Sequence, residues 1–323
     1  MTERFIAAAA QLAPVFLDRD ATVQKACDAI REAGRAGARL IVFPETFIPG
    51  YPYWTLVHDP LGSRNRFFRR LYEQAVTLSG PAVKALCKAA QDAKCHAVVG
   101  INERDGGTLY NTQLFIGEGG DVLGQHRKLV PTHHERMVWG RGDGSDLSVF
   151  RTPLGTLGGL ICYEHANALF RYAIQAQGEE LHVANWPGGM PWIDEIVDAA
   201  IRHYAFEAQC FVVSTTSILT LDIIAALGEG GSVDRLRPGG GCSAIVAPGG
   251  RYLARAEADV ETVIYAEIDP TAIGDWKQLV DSTGHYARPD VVRLHLDRRA
   301  RRPLVLEGAE EINAQPEEEG SLP

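Results

Sequence analysis

The sequence predicts an α/β protein whose strands pair in both parallel and antiparallel fashion. Three observations point there. Stretches with helical spacing of apolar residues alternate with short strand-like runs over most of the 323 residues. Runs such as "RLIVFP" are compact and apolar, as a fully buried strand is. Other strand runs follow one another directly across "GEGGD" or "PLG", and such turns join antiparallel pairs.

Each element follows in order. "RFIAAAAQLAP" opens the chain as a strand. "DATVQKACDAIREAGRAG" follows as a helix, with Val23, Cys27, Ile30 and Ala33 near helical spacing and Gly34 and Gly37 near its end. "RLIVFP" is the next strand, and residues 63–94 read as two helices split by "SGP". "HAVVGI", "YNTQLFI" and "DVLGQHRK" are strands, the last two joined by the "GEGGD" turn. "LSVFRTPLGTLGGLIC" is a strand pair turning at "PLG". A helix around 167–177, the strand "LHVANW", a helix around 193–208 and the strand "CFVVSTT" continue the alternation. The Gly-rich stretch 227–242 contains no GK[ST], so it is no phosphate loop, and a mobile surface loop is expected. "CSAIVAP", "RYLARAEA" and "TVIYAEID" close the series as strands. No internal repeat stands out and no linker interrupts the chain before about residue 300. Residues 1–303 are therefore expected to form one domain, and 304–323 an acidic tail of disordered composition.

Composition narrows the function classes. The chain is 46% hydrophobic and 23% charged, an ordinary globular balance. No run of 18 apolar residues occurs, so no membrane helix is expected. The apolar N-terminus lacks a basic leader and is broken by Gln11, which favours a first strand over a signal peptide and a cytoplasmic location. The six cysteines are scattered with no CxxC pair, which argues against disulfides and against a zinc cage. Six glutamates in the tail carry most of the formal charge of −9, and no basic face for nucleic acid is implied. The short basic run 297–303 reads as solvated surface or a subunit contact.

Chemistry is concentrated at three strand ends. "RLIVFP" runs into Glu45, "VLGQHR" into Lys128, and "LGGLI" into Cys162. Functional sites in open α/β sheets collect where strand ends meet loops. Singly, each has an ordinary explanation: a cap, a solvated terminus, a core thiol. Their flanks are less ordinary. Glu45 is followed by Pro49, Gly50, Pro52 and several aromatics, and Lys128 by Pro131, two histidines, Glu135 and Trp139.

On these motifs the chain resembles the nitrilase superfamily of carbon–nitrogen hydrolases, and within it the nitrilase branch. "FPETFIPGYPYW" matches the family's glutamate motif, "HRKLVPTHHERMVWGRGDGSD" its lysine motif, and "GGLICYEHANALFRYAIQAQGEELHVANWPG" its cysteine motif. Family-like segments recur at "IRHYAFEAQCFVVSTT", "GGGCSAIVAPGGRYLA" and "GHYARPDV", so the likeness spans roughly 4–293. The resemblance implies a four-layer α-β-β-α sandwich, a Cys162–Glu45–Lys128 site with Glu135 as second carboxylate, and no metal or other cofactor. It also places Tyr51, Trp139 and Trp186 near the substrate pocket, although each is equally readable as aromatic core. Tyr163 stands where the branch usually has tryptophan, and Ala166 where an aromatic is frequent. The small Ala166 enlarges the expected pocket and favours aryl or arylaliphatic nitriles.

The residue types suit that chemistry. Free cysteine is only a few per cent thiolate near neutral pH, so a base must take its proton. The family pattern gives that role to Glu45, and a helix start at Cys162 is expected to favour the thiolate further. Lys128 is the fixed cation for charge developing on the substrate. The resemblance implies that Glu135 orients Lys128 and helps position substrate or water, and two carboxylates beside one ammonium would keep it charged. His133 and His134 lack any HExxH-like partner set, which weighs against a metal. His165, three residues past Cys162, is expected to support the site from behind. An amidase or carbamoylase, a cyanide hydrolase or hydratase, and a non-catalytic filament protein are the competing readings. The expected partners are a nitrile substrate and further copies of the chain, as dimers or larger assemblies up to spirals. "GHYARPDV" and the 227–242 segment are the candidate contacts.

Overall fold

A computed structural model describes residues 3–59, 64–228, 232–301 and Leu304. The tail expected from 304 onward lies outside the described residues apart from Leu304, as do residues 229–231 of the Gly-rich stretch. In chain order the main elements begin with β1 (Phe5–Gln11), α1 (Arg19–Arg35), β2 (Ala38–Val42), α2 (Trp54–Val57) and α3 (Arg64–Gln74). Next come α4 (Pro81–Ala93), β3 (His96–Asp105), β4 (Thr108–Ile116), β5 (Val122–Arg127), β6 (Phe150–Thr152) and β7 (Gly155–Ile161). Then follow α5 (Ala168–Gln175), β8 (Leu181–Trp186), α6 (Ile193–Ala208), β9 (Phe211–Thr216) and α7 (Leu221–Leu227). The last are β10 (Ala244–Ala247), β11 (Arg251–Arg255), β12 (Thr262–Ile268) and α8 (Thr271–Leu279).

The strands form two six-stranded sheets, ordered β12-β1-β2-β3-β4-β5 and β11-β10-β9-β8-β7-β6. β1, β2 and β3 are parallel, as are β7, β8 and β9; the remaining neighbours are antiparallel. Alternation along each strand sorts side chains into layers. Ala7 and Ala9 of β1, Leu40 and Val42 of β2, and Val98 of β3 meet Leu157, Val183 and Val213 between the sheets. Ala8, Ala10, Ile41, Ala97 and Val99 face the other way, onto α1 and α4. Leu160, Ala184 and Val212 of the second sheet pack on α5 and α6. The result is the four-layer α-β-β-α sandwich.

Local signals explain the helices. Asp18 caps α1 by accepting from Ala21 N at 3.0 Å, and Thr22, Val23, Ala26, Cys27, Ile30 and Ala33 form its buried face. Pro81 opens α4 at a position where its missing N–H is not needed. α1 and α4 cross closely: a Cβ on Gly34 would sit 2.8 Å from Ala93 Cβ. Three helices that periodicity does not announce are α2, α7 and α8, all short. α2 and α7 are seated on an apolar cluster with Tyr51, Tyr53 and Trp139 at one end of the sandwich.

One expectation is corrected. Within 227–242, the described residues from Leu236 onward are pinned rather than a free surface loop. Gly240 N donates to Asp259 Oδ1 at 2.7 Å, Cys242 N to Thr216 Oγ1 at 2.7 Å, and Arg237 N to Gly189 O at 2.7 Å. Glycines 239–241 all have positive φ, so the glycine run serves a tight buried path against Gln11 and Gly189. Among the described residues, no helix is long and apolar enough to cross a membrane.

Candidate active site

Glu45, Lys128 and Cys162 each follow the last residue of a strand or sit just beyond it. β2 and β5 point the same way, because the chain reverses twice across β3–β4–β5. The segment after β2 is laid across β3: Phe43 N donates to Val98 O at 2.9 Å and Ile48 N to Gly100 O at 3.1 Å. Gly100 permits this, since a Cβ there would lie 2.0 Å from Pro44 O and 2.6 Å from Thr46 N. Lys128 is fixed through its backbone N–H, which donates to Asn111 O on β4 at 2.8 Å.

The side chains converge. Lys128 Nζ donates to Glu45 Oε1 at 2.9 Å and to Glu135 Oε2 at 2.7 Å, with all three residues 1% exposed. Asn111 Nδ2 also donates to Glu45 Oε1, at 2.6 Å. Glu135 opens no ordinary helix; it sits in the one-turn 3-10 helix His133–Met137, where Oε2 also accepts from Thr132 N at 2.6 Å. Tyr51 OH donates to Glu135 Oε1 at 2.8 Å. That leaves the Tyr51 oxygen to accept from His134 Nε2, 2.8 Å away, so the proton of His134 lies on Nε2. His134 therefore joins the carboxylate array through Tyr51, and His133 meets the ring of His134, 5.9 Å between centroids. Glu45 Oε2 has no protein partner although it is buried.

Cys162 begins the 3-10 helix Cys162–Ala166 with φ of 51°, in the left-handed region. A non-glycine residue is held there only by its surroundings. Glu164 supplies part of that hold. Its Oε1 accepts from Leu129 N at 2.7 Å and its Oε2 from Ile161 N at 2.8 Å, with His126 Nε2 2.8 Å from Oε2. One buried carboxylate thus ties the residue after Lys128 to the residue before Cys162.

Electrostatics assign protonation states. Burial, with the nearby charge of Glu135, raises the Glu45 carboxyl to about 7, against the opposing pull of Lys128. Burial alone would lower Lys128, but Glu135 and Glu45 together hold it well above the usual lysine range, so it is an ammonium. Burial and the charge of Glu45 push the Cys162 thiol well up, outweighing Lys128 and a hydrogen bond from Tyr163 N–H. The expected thiolate stabilisation by a helix start is therefore not the dominant influence. A single 3-10 turn carries little dipole, and the neighbouring carboxylates oppose it. The resting pair is a thiol beside a carboxyl group poised to ionise near neutrality.

The pocket residues divide. Tyr163 and Ala166 line a cavity of about 480 Å³ together with Val130, Pro131, Arg136 and Phe170. Tyr51 and Trp139 are buried behind the array, ring edge to face at 5.7 Å, and Trp139 Nε1 donates to Asn102 Oδ1 at 2.9 Å. Trp186 stacks on His165 at 4.8 Å. Sequence reasoning passed over Asn111 and Glu164. The signal for Asn111 was available: "YNTQLFI" carries three polar residues in succession, Asn111, Thr112 and Gln113, ahead of an apolar strand end.

Comparison with known proteins places these features in a family. The carbon–nitrogen hydrolase family model matches residues 6–278. An aliphatic nitrilase of Rhodococcus rhodochrous is 44% identical over 94% of this chain and 85% of its own length. A nitrilase of Paraburkholderia phymatum is 42% identical over 93% of this chain and 88% of its own. An arylacetonitrilase of Aspergillus kawachii is 36% identical over 99% of both. Among solved structures, a carbon–nitrogen hydrolase from Helicobacter pylori superposes with a TM-score of 0.72 at 20% identity, covering 89% of this chain and 97% of that one. Saccharomyces cerevisiae Nit3 gives 0.70 at 23% identity, over 88% and 97%. At those identities the structural likeness speaks for the fold.

Proposed function

Because the chain belongs to the carbon–nitrogen hydrolase family, in its nitrilase branch, and is thus a hydrolase of carbon–nitrogen bonds, we propose that it converts an organic nitrile to the carboxylic acid and ammonia through a covalent cysteine intermediate. The observation that carries this reading is the buried Glu45–Lys128–Glu135 array within electrostatic reach of Cys162.

The geometry supports the following steps. Glu45 as carboxylate takes the Cys162 proton while Sγ attacks the nitrile carbon; Oε2, which has no protein partner, is the oxygen free to do so. The proton then passes from Glu45 to the substrate nitrogen, giving a thioimidate. Glu45 next activates a water, which adds to the same carbon. Lys128 uses two of its three N–H donors on carboxylates, and the third is available to the developing charge. Collapse of the tetrahedral intermediate expels ammonia and leaves a thioester. A second water releases the acid and returns the proton to sulfur. Glu135, fixed by Tyr51 and Thr132, holds Lys128 in place.

The small side chain of Ala166, four residues after Cys162, supports an aryl or arylaliphatic substrate; the cavity that Ala166 and Tyr163 line with Phe170 and Val130 adjoins this turn but is not lined by Cys162, Glu45 or Lys128. The 44% identity to an aliphatic nitrilase favours an aliphatic one as the second reading. Ammonia release from a panel of aryl, arylaliphatic and short aliphatic nitriles, with the matching amides, tests both. The expected result is turnover of phenylacetonitrile above a two-carbon nitrile, and none with Cys162→Ala. Activity retained by Cys162→Ala would refute the nucleophile, and turnover of amides alone would refute the nitrile reading. The same reading takes residues 1–303 as one catalytic domain. It also includes self-association, supported by the exposure of Tyr286, Val291 and Val292 at 70%, 68% and 77% in and beside "GHYARPDV"; light scattering on the eluted protein tests it, and a monomer would sink it.

A further inference from the structure

One buried chain of titratable groups takes no part in the chemistry above. Tyr204 OH donates to Glu179 Oε2 at 2.6 Å. Glu179 Oε1 lies 2.8 Å from His182 Nδ1, and His182 Nε2 lies 2.9 Å from His165 Nε2. His165 Nδ1 ends the chain 2.7 Å from the carbonyl oxygen of Cys162. Glu179, His182, His165 and Tyr204 are each 3% exposed or less.

Valence fixes the protons. A carbonyl only accepts, so His165 Nδ1 carries hydrogen. Neutral His165 then offers a lone pair at Nε2, and His182 must donate from its own Nε2. Neutral His182 in turn offers a lone pair at Nδ1, so Glu179 must be the donor there, as a carboxylic acid. Tyr204 agrees, because it donates to the other carboxyl oxygen. Removing one proton from this set leaves two acceptors facing each other at one of the links. Moving the proton inward instead creates a buried ion pair, which burial disfavours. Burial holds Glu179 well above the usual carboxylate range and His182 well below the usual histidine range, and lowers His165 to about 3. The rings are clamped as well: His182 stacks on Tyr204 and His165 on Trp186.

We propose that Glu179, His182 and His165 form a neutral, one-way hydrogen-bond chain that positions the nucleophile by holding the Cys162 carbonyl, and with it the left-handed backbone that aims the thiol. The proposal rests on the reading of Cys162 as nucleophile. Glu179 and His182 lie 17 and 20 residues beyond Cys162 in sequence and are positioning residues, acting through His165 alone. A misaimed nucleophile loses rate far more than substrate affinity.

The test uses full-length protein and two readouts. One is the rate of Cys162 alkylation by iodoacetamide, followed by peptide mass spectrometry, which needs no nitrile turnover. The other is the kcat and KM for a nitrile. Glu179→Leu is expected to slow alkylation and kcat at least about tenfold with KM within about twofold. Glu179→Gln is expected to rescue both, since its amide nitrogen donates to His182 Nδ1 and its oxygen accepts from Tyr204. Wild-type alkylation in Glu179→Leu, or a Glu179→Gln as slow as the leucine variant, would overturn the proposal. If the leucine variant does not fold, histidine 15N shifts of the wild type decide: a His182 imidazolium or Nδ1–H tautomer at neutral pH overturns it, and the Nε2–H form supports it. The alkylation pattern without any nitrile turnover would uphold the positioning chain while the nitrile reading fails.

Discussion

Glu45 is subject to two opposed influences, and the balance between them sets a measurable pH dependence. Burial and Glu135 favour its neutral form, while Lys128 and Asn111 favour the carboxylate, and the outcome is an ionisation near 7. In the proposed mechanism only the Glu45 carboxylate can take the thiol proton. Activity on kcat/KM is therefore expected to rise with pH along a limb centred near 7, falling as Glu45 is protonated below it. Glu135 raises this ionisation by like charge, so Glu135→Gln is expected to move the limb to lower pH as well as to reduce kcat. A pH–rate profile of the two proteins checks this. A limb that stays in place, or moves up, would show that Glu135 is not acting on Glu45 through charge. Asn111→Leu removes a donor to the carboxylate and should move the limb the opposite way, upward.

At the scale of elements, the site depends on how closely three strand ends approach. The segment carrying Glu45 rides directly over Gly100, and the atoms a Cβ would meet are backbone, which cannot swing aside. Gly100→Ala is expected to destabilise the fold by about 2 kcal/mol and to displace Glu45. Thermal unfolding should show the loss, and kcat should fall more than stability alone explains. A variant with native stability and native kcat would mean the segment has slack that the contact distances deny. Much of this arrangement was legible in the sequence. Apolar strands that end abruptly in Glu45, Lys128 and Cys162 marked the positions, and the motifs around them gave the family. What the sequence hid has physical causes. Asn111 and Glu164 bond to groups distant in the chain, and only the folded register reveals a partner 66 residues away for Asn111, or 35 for Glu164. Leu221–Leu227 and Thr271–Leu279 are too short to show a clear period, and Gly274 weakens the second. The glycines of 239–241 suggested looseness, whereas here they allow a path too tight for any side chain.

At the scale of the whole molecule, the two sheets share one pattern. Reading from β12 in one and β6 in the other, neighbours pair antiparallel, parallel, parallel, antiparallel, antiparallel. No sequence repeat records this likeness. The site straddles both halves: Glu45 and Lys128 belong to the first sheet and Cys162 to the second. Mostly apolar packing joins the sheets, and apolar packing tolerates sliding better than hydrogen bonds do. Gln113 of β4 supplies the directional link. Its Nε2 donates across the interface to Asn185 Oδ1, and its second hydrogen is shared between Leu160 O and Val183 O, 3.2 Å away each. Asn185 Nδ2 returns the link by donating to Phe43 O. Leu160 is two residues before Cys162 and Phe43 two before Glu45, so this pair of amides couples the segment carrying the proposed base to the strand carrying the proposed nucleophile. Gln113→Met keeps the volume and removes the donor, leaving buried Asn185 Oδ1 without its partner. The expected loss is about 2 kcal/mol of stability. It should come with a fall in kcat of about tenfold and little change in KM, because substrate contacts remain while the reacting groups lose register. Denaturant unfolding and steady-state kinetics on the same preparation check both parts. A stability loss with kcat intact would reduce the amide pair to a fastening between sheets and remove it from any account of how Glu45 meets Cys162.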